Sequence, residues 1–380
     1  MLPLILAQKR ILCKFVLLPI LWGYGISSQA GEIFEYNRSL RSLGMGGAYI
    51  SVVEAQDAPL VNPAALAFVS EINWEMINLG GGINGLDIYN TVSNFKAITS
   101  AADYSQYFGK RIWVNAFGRT SVVMPGFGMA GFEDFKTSFA MHNPAYPQFS
   151  MDFINDYGLN IAGAASIGDR SGFGLAVKRI NRWGGTEEIG LGIISSGNGS
   201  QIMEQFKNKG VGYGVDAAFM TKLPVSSDTR LAIVWQDVGD TRFSKTEGPS
   251  APPAIENNLQ IGLGTAVDWP GIDFAAAMEV RHIMNSSYSF AQKVHLGGEV
   301  SLPLLKLRGG LSQGYPTYGV GFSFLFFDFD LAYYFTELGA YPGQTPENRI
   351  QLGMSMGLSL DADFKFYSKD GKKRKLKQRR

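Results

Sequence analysis

From residue 211 onward, apolar side chains return at every second position, while Gly, Ser and charged residues fill the places between them. In 211–222 one face is Val211, Tyr213, Val215, Ala217 and Phe219, and the other is Gly212, Gly214, Asp216 and Ala218. Residues 258–267 set Leu259, Ile261 and Leu263 against Gln260, Gly262 and Gly264, and 272–281 set Ile272, Phe274, Met278 and Val280 against Asp273, Glu279 and Arg281. In 293–302 Val294, Leu296, Val300 and Leu302 oppose Lys293, His295, Gly297 and Glu299. The most hydrophobic run past residue 30, "FSFLFFDFDLAYYF" at 322–335, is broken by Asp328 and Asp330 in the same rhythm. Residues 349–360 repeat it, with Ile350, Leu352, Met354 and Met356 against Arg349, Gln351 and Gly353. A period of two is that of a strand whose successive side chains point to opposite faces, so the chain is all-β.

Which face lies inside decides the architecture. A soluble sandwich buries its apolar face, whereas a transmembrane barrel turns that face to lipid and the small or charged one to a lumen. Strands of about 10 residues suit a tilted span. The 46 glycines favour a crowded inner face, and Trp235, Trp269, Tyr318 and Tyr341 stand near strand ends, where interfacial aromatics belong. These features predict a transmembrane antiparallel β-barrel of about fourteen strands, at 72–80, 111–125, 127–140, 151–167, 172–183, 211–222, 229–238, 256–268, 272–282, 291–302, 304–313, 317–326, 327–336 and 348–366. Gly- and Pro-rich stretches such as 195–200 and 245–258 read as turns, and 94–108 reads as a short helix in a loop. The inward polar positions are Asp216, Glu279, Arg281, Lys293, His295, Glu299, Arg308, Asp328 and Asp330.

The N-terminus has the form of an export signal. Lys9, Arg10 and Lys14 precede the apolar run 15–26, and Ser28-Gln29-Ala30 offers small residues for cleavage after Ala30; a retained anchor is the competing reading. The single cysteine, Cys13, leaves with that signal, so no disulfide framework is expected. The formal charge of +1 conceals an uneven distribution: without residues 1–30 and the last twelve residues, 23 basic face 32 acidic residues, about −9. The tail "KDGKKRKLKQRR" reads as a solvated basic extension.

Signals for chemistry are weak. "GLSQG" (310–314) and "GMSMG" (353–357) fit the spacing of a nucleophile elbow, yet both lie inside alternating strands rather than at a strand-to-helix turn. His142, His282 and His295 are too scattered to suggest a metal site. The expectation is a non-enzyme without cofactor, metal or nucleic-acid partner.

One stretch stands outside the strand pattern. "RSLGMGGAYISVVEAQDAPLVNPAALAFV", residues 41–69, resembles the N-terminal signature of the FadL-like outer-membrane proteins, the superfamily of the long-chain fatty acid transporter and the PorV/PorQ proteins of type IX secretion. Arg41, Leu43, Gly44, Met45, Gly46, Gly47, Ala48, Asp57, Asn62, Pro63, Ala64, Leu66 and Ala67 carry the match; "GVGYGVDAAFMTKLP", "KVHLGGEVSL" and "LRGGLSQGYPTYGVGFSF" look like strands of the same group. The resemblance implies a bacterial outer-membrane barrel at 71–367 with a hatch at 31–70 folded into its lumen, behind a signal at 1–30 and ahead of a periplasmic tail at 368–380. It makes Gly44, Met45, Gly46, Gly47, Asp57, Asn62, Pro63 and Ala64 the hatch or gate residues. Two functions follow from it: passage of a hydrophobic small molecule across the outer membrane, or a scaffold that binds a secretion partner. Outer-membrane lipid is the expected surroundings in both.

Overall fold

The structure, a computed structural model, describes residues 32, 33, 35, 38–85, 109–142, 148–190, 200, 204–225 and 227–360. The expected signal at 1–30, the loop helix at 94–108 and the basic tail lie outside the described residues.

The strands are β1 (Ile72–Ile83), β2 (Arg111–Met124), β3 (Phe127–His142), β4 (Gln148–Ile167), β5 (Ser171–Gly190), β6 (Lys209–Lys222), β7 (Asp228–Gln236), β8 (Phe243–Glu247), β9 (Asn258–Trp269), β10 (Ile272–Val280), β11 (Val294–Ser301), β12 (Leu305–Ser312), β13 (Tyr315–Phe324), β14 (Phe327–Glu337) and β15 (Pro346–Leu360). Every pairing is antiparallel, and the ring closes because β1 pairs with β15 at one seam and β5 with β6 at the other. Closure leaves no sheet edge in lipid, where an unpaired backbone amide would have no water to satisfy it.

The ring holds fourteen strands, and β8 is the extra element. β7 pairs with β6 only over 217–222, and β8 takes over the pairing at 209–212. The two segments serve as one wall position interrupted by a turn, in which Asp237 and Asp240 adopt positive φ. The sequence showed no strand at β8, because its five residues carry little apolar alternation and their second half runs into the turn-like "KTEGPSAPPAIENN" at 245–258.

Alternation resolves as expected for a membrane wall. On β6, Tyr213 and Val215 point outward and exposed, while Gly212, Gly214 and Asp216 are buried inside. Exposed Val177, Leu263, Leu331 and Leu352 continue the apolar outer surface on other strands. Connections are short at one end, such as 125–126, 270–271 and 325–326, and at the other they include the long stretches 84–110, 191–208 and 281–293 beside the two-residue turn 313–314. Short turns face the periplasm in outer-membrane barrels, which puts the ends of β2 at Met124 and of β15 at Leu360 on that side. No helix among the described residues is long and apolar enough to cross a membrane.

Leu263 lies midway along β9 on the outer face, so Leu263→Arg is expected to destabilise the barrel by about 2–4 kcal/mol in lipid vesicles. Denaturant titration of the folded protein in vesicles checks this; no loss would mean that this face does not meet lipid.

Candidate functional site: the segment inside the lumen

Residues 38–71 run inside the ring, and their fold follows from local chemistry. Ser39 caps the short helix Leu40–Gly44 by accepting from the Ser42 amide. Asn62 caps the 3-10 turn Pro63–Phe68 in the same way, accepting from Ala64 N at 3.1 Å, while its Nδ2 donates to Ile50 O at 2.8 Å. A fully buried Asn62 thereby ties two parts of the segment together, and Pro63 starts the turn with a residue that has no amide proton to orphan. Tyr49 Oη donates to Asp57 at 2.7 Å and accepts from Glu54 N, so the expected gate residue Asp57 is a brace within the segment.

The Gly-Met-Gly-Gly stretch sits against β11–β13 at backbone contact. Gly46 and Gly47 have φ of +65° and +90°, and a Cβ on Gly46 would lie 2.3 Å from Leu296 O. The wall is cut to match: a Cβ on Gly297 would lie 2.0 Å from Met45 O. Neither side tolerates a methyl group, which accounts for glycine on both. Thr317 Oγ1 donates to Gly44 O at 3.1 Å.

Two kinds of contact hold the segment. Toward the periplasmic end the contact is apolar: Ile50, Ala58, Ala64, Ala65 and Leu66 pack on Val123, Ala162, Ala176, Ala218, Met220, Ala232 and Val234 of the wall. Elsewhere it is ionic. Arg41 makes a bidentate pair with Glu299 at 2.8 and 2.9 Å, and Glu299 also accepts from Arg308 Nε at 2.7 Å. Arg308 continues to Asp330, and Asp328 pairs with Lys306 at 3.3 Å. Glu279 accepts both Tyr49 N and Ile50 N, at 2.8 and 3.0 Å, and is itself held by Arg281. Arg281 reaches Glu35 at 2.7 Å and donates to Gly47 O. Near the loop end Glu32 is gripped by Arg349 at 2.6 and 2.9 Å, with Arg111 at 3.3 Å. The buried pairs among these, Arg41–Glu299–Arg308 and Glu279–Arg281, persist because their carboxylates accept from several donors.

Of the polar residues expected to line the lumen, Glu279, Arg281, His295, Glu299, Arg308 and Asp330 all touch the segment or its first ring of partners. Asp216 lies apart, in a buried triad with Lys178 at 2.7 Å, and Lys178 reaches Asp237 at 2.9 Å; together they fill the interruption between β7 and β8. Lys293 is the exception. It ends the short helix Phe290–Lys293 in the loop before β11 begins, so it is half-exposed at the rim instead of on the lumen face. The sequence reading did not single out Glu32, Glu35, Arg119 or Lys178. Lys178 occupies an inward position between Ala176 and Ile180 on an alternating strand, a signal that was available.

The elbow-like serines lie in strands, Ser312 ending β12 and Ser355 within β15. Ser312 Oγ is 3.3 Å from His295 Nδ1, but that nitrogen is 2.8 Å from the Gly46 carbonyl. A carbonyl can only accept, so Nδ1 carries the proton and cannot take one from the serine.

Burial alone would raise the Glu32 carboxyl, yet Arg349 and Arg111 beside it bring it down to about 2. Glu35 is likewise held well below the ordinary 4.5, against the effect of burial, by Arg281 and Arg38. For Glu54, burial outweighs Arg41 and the carboxyl is raised.

Wall and segment together define a plugged transmembrane barrel of outer-membrane type. No family model matches the chain, and no curated protein matches it. Among solved structures, the CymD monoaromatic hydrocarbon channel is similar at TM-score 0.48 and 13% identity, over 84% of this chain and 97% of that one. The toluene transporter TodX of Pseudomonas putida is similar at 0.45 and 12%, over 88% and 100%. The toluene transporter TbuX of Ralstonia pickettii is similar at 0.42 and 11%, over 85% and 98%.

Arg41→Met strands the buried Glu299 with a single cation, and the expected cost is about 3 kcal/mol in denaturant titration. Adding Glu299→Gln should recover part of it, since pair members couple. Additive losses would show that the two side chains do not act as a pair. Because the Glu32 and Glu35 carboxyls are depressed on folding, their stabilisation is present above about 4.5; that of Glu32 is lost as pH falls toward 2, and that of Glu35 likewise declines below the ordinary carboxylate range. Channel recordings in planar bilayers should therefore show opening events that multiply below pH 4, and a flat response across pH 7 to 3 would contradict the clamp.

Proposed function

We propose that the protein passes hydrophobic small molecules across the outer membrane, with the lumenal segment as its gate. The observation that carries this reading is a pair of cavities sharing one partition. The first, about 40 Å³, is lined by Ile33, Leu43, Trp113, Phe117 and Tyr334 among others; the second, about 50 Å³, by Tyr49, Leu60, Val61 and Ile255. Glu35 and Arg38 line both. Both cavities are small, and in this reading the conformation is the closed one. Displacing the partition joins two partly apolar chambers into a passage, and the partition is held by ion pairs rather than by the apolar packing that fixes the segment's periplasmic end. Ionic clamps release without unpacking a core, which suits a moving part.

Toluene, the compound named for two of the similar barrels, is a practical probe in proteoliposomes. Glu35→Gln weakens the hold of Arg281 and His282 on the partition and should raise toluene flux several-fold. Deleting 32–69 should open a steady ionic conductance. If neither change alters flux or conductance, the gate is refuted; retention of a secreted protein on the same barrel would then favour the scaffold reading.

A further inference from the structure

The first cavity has a charge imbalance. Four basic side chains line it, Arg38, Arg119, Lys136 and Arg349, against three acidic ones, Glu32, Glu35 and Asp134. Three pairs account for six of these: Arg349 with Glu32, Arg38 with Glu35 at 3.1 Å, and Lys136 with Asp134 at 3.1 Å. Arg119 is left over. It is only 5% exposed, projecting from β2 into the lumen, and no carboxylate forms an ion pair with it among the described residues. Its Nη2 donates to Arg38 O at 2.8 Å, and its guanidinium lies 5.1 Å from the centre of the Phe117 ring. Among the described residues, its Nε and Nη1 have no hydrogen-bond partner. Glu75, whose field reaches Arg119, accepts from Asn78 instead.

A buried guanidinium with two idle donors costs free energy unless something accepts from them. The acceptor must be small, because the cavity measures about 40 Å³, and it should be negative, because the surplus charge is positive. We infer that this cavity is a binding site for a chloride-class monoanion, held by Arg119 of the wall beside Arg38 of the lumenal segment. The anion completes the charge pairing and fastens the segment to β2. The site is independent of whether the barrel conducts.

The experiment uses the full protein in detergent. Crystals grown in bromide should give an anomalous peak within hydrogen-bond reach of Arg119 Nε and Nη1. In solution, replacing gluconate with chloride at constant ionic strength should raise the melting temperature saturably by about 2 °C or more. Arg119→Gln should abolish that increment. Acetate, bulkier than a halide ion, should reproduce it less. Ordered water in place of bromide would overturn the inference, as would an equal chloride effect in Arg119→Gln or an equal effect of acetate in the native protein; the diffraction arm needs only the native chain.

Discussion

A charge turned into a closed barrel has no bulk water to solvate it, so it must find its counter-charge inside. That requirement organises the lumen. The wall side supplies Glu299, Arg281 and Arg349, and the lumenal segment with the residues just before it supplies Arg41, Glu35 and Glu32 to meet them in turn. Neither set is satisfied alone: without the segment, Glu279 loses two backbone donors and Arg349 loses its bidentate partner. Plug and wall are therefore one electrostatic object, although the covalent chain makes them successive.

The wall was legible in the sequence because a lipid-facing strand advertises itself: outward apolar and inward small residues leave a two-residue period that needs no partner to be read. Strands from β9 onward accordingly fall within a few residues of where the pattern puts them. Where the chain rises beyond the membrane the period fades, so β5 continues through Gly184 and Gly185 to Gly190, past the expected end at 183. β8 was hidden by its Gly and Pro neighbours. Lys293 was misplaced because its spacing fits β11, while the capping box of Ser289 and Gln292 instead winds it into a helix.

The lumenal segment was legible in another way. Its glycines and Asn62 act through backbone geometry, which a local motif can announce: Gly46 and Gly47 take positive φ against the wall, and Asn62 caps the turn that follows it. Its ion pairs join positions such as Glu32 and Arg349, 317 residues apart, and nothing local marks either as a partner of the other. The resemblance of 41–69 to a known signature pointed to the segment; only the assembled ring says what each charge in it touches.

The seam between β1 and β15 brings together the strand that follows the segment and the last described strand of the chain. That seam closes the ring around the segment lying against its inner surface. The backbone contacts at Gly46 and Gly297 leave no spare room between segment and wall at that point. Stopper and ring therefore fit as a cast fits its mould: at Gly46 and Gly297 neither surface can gain a methyl group unless the other gives way.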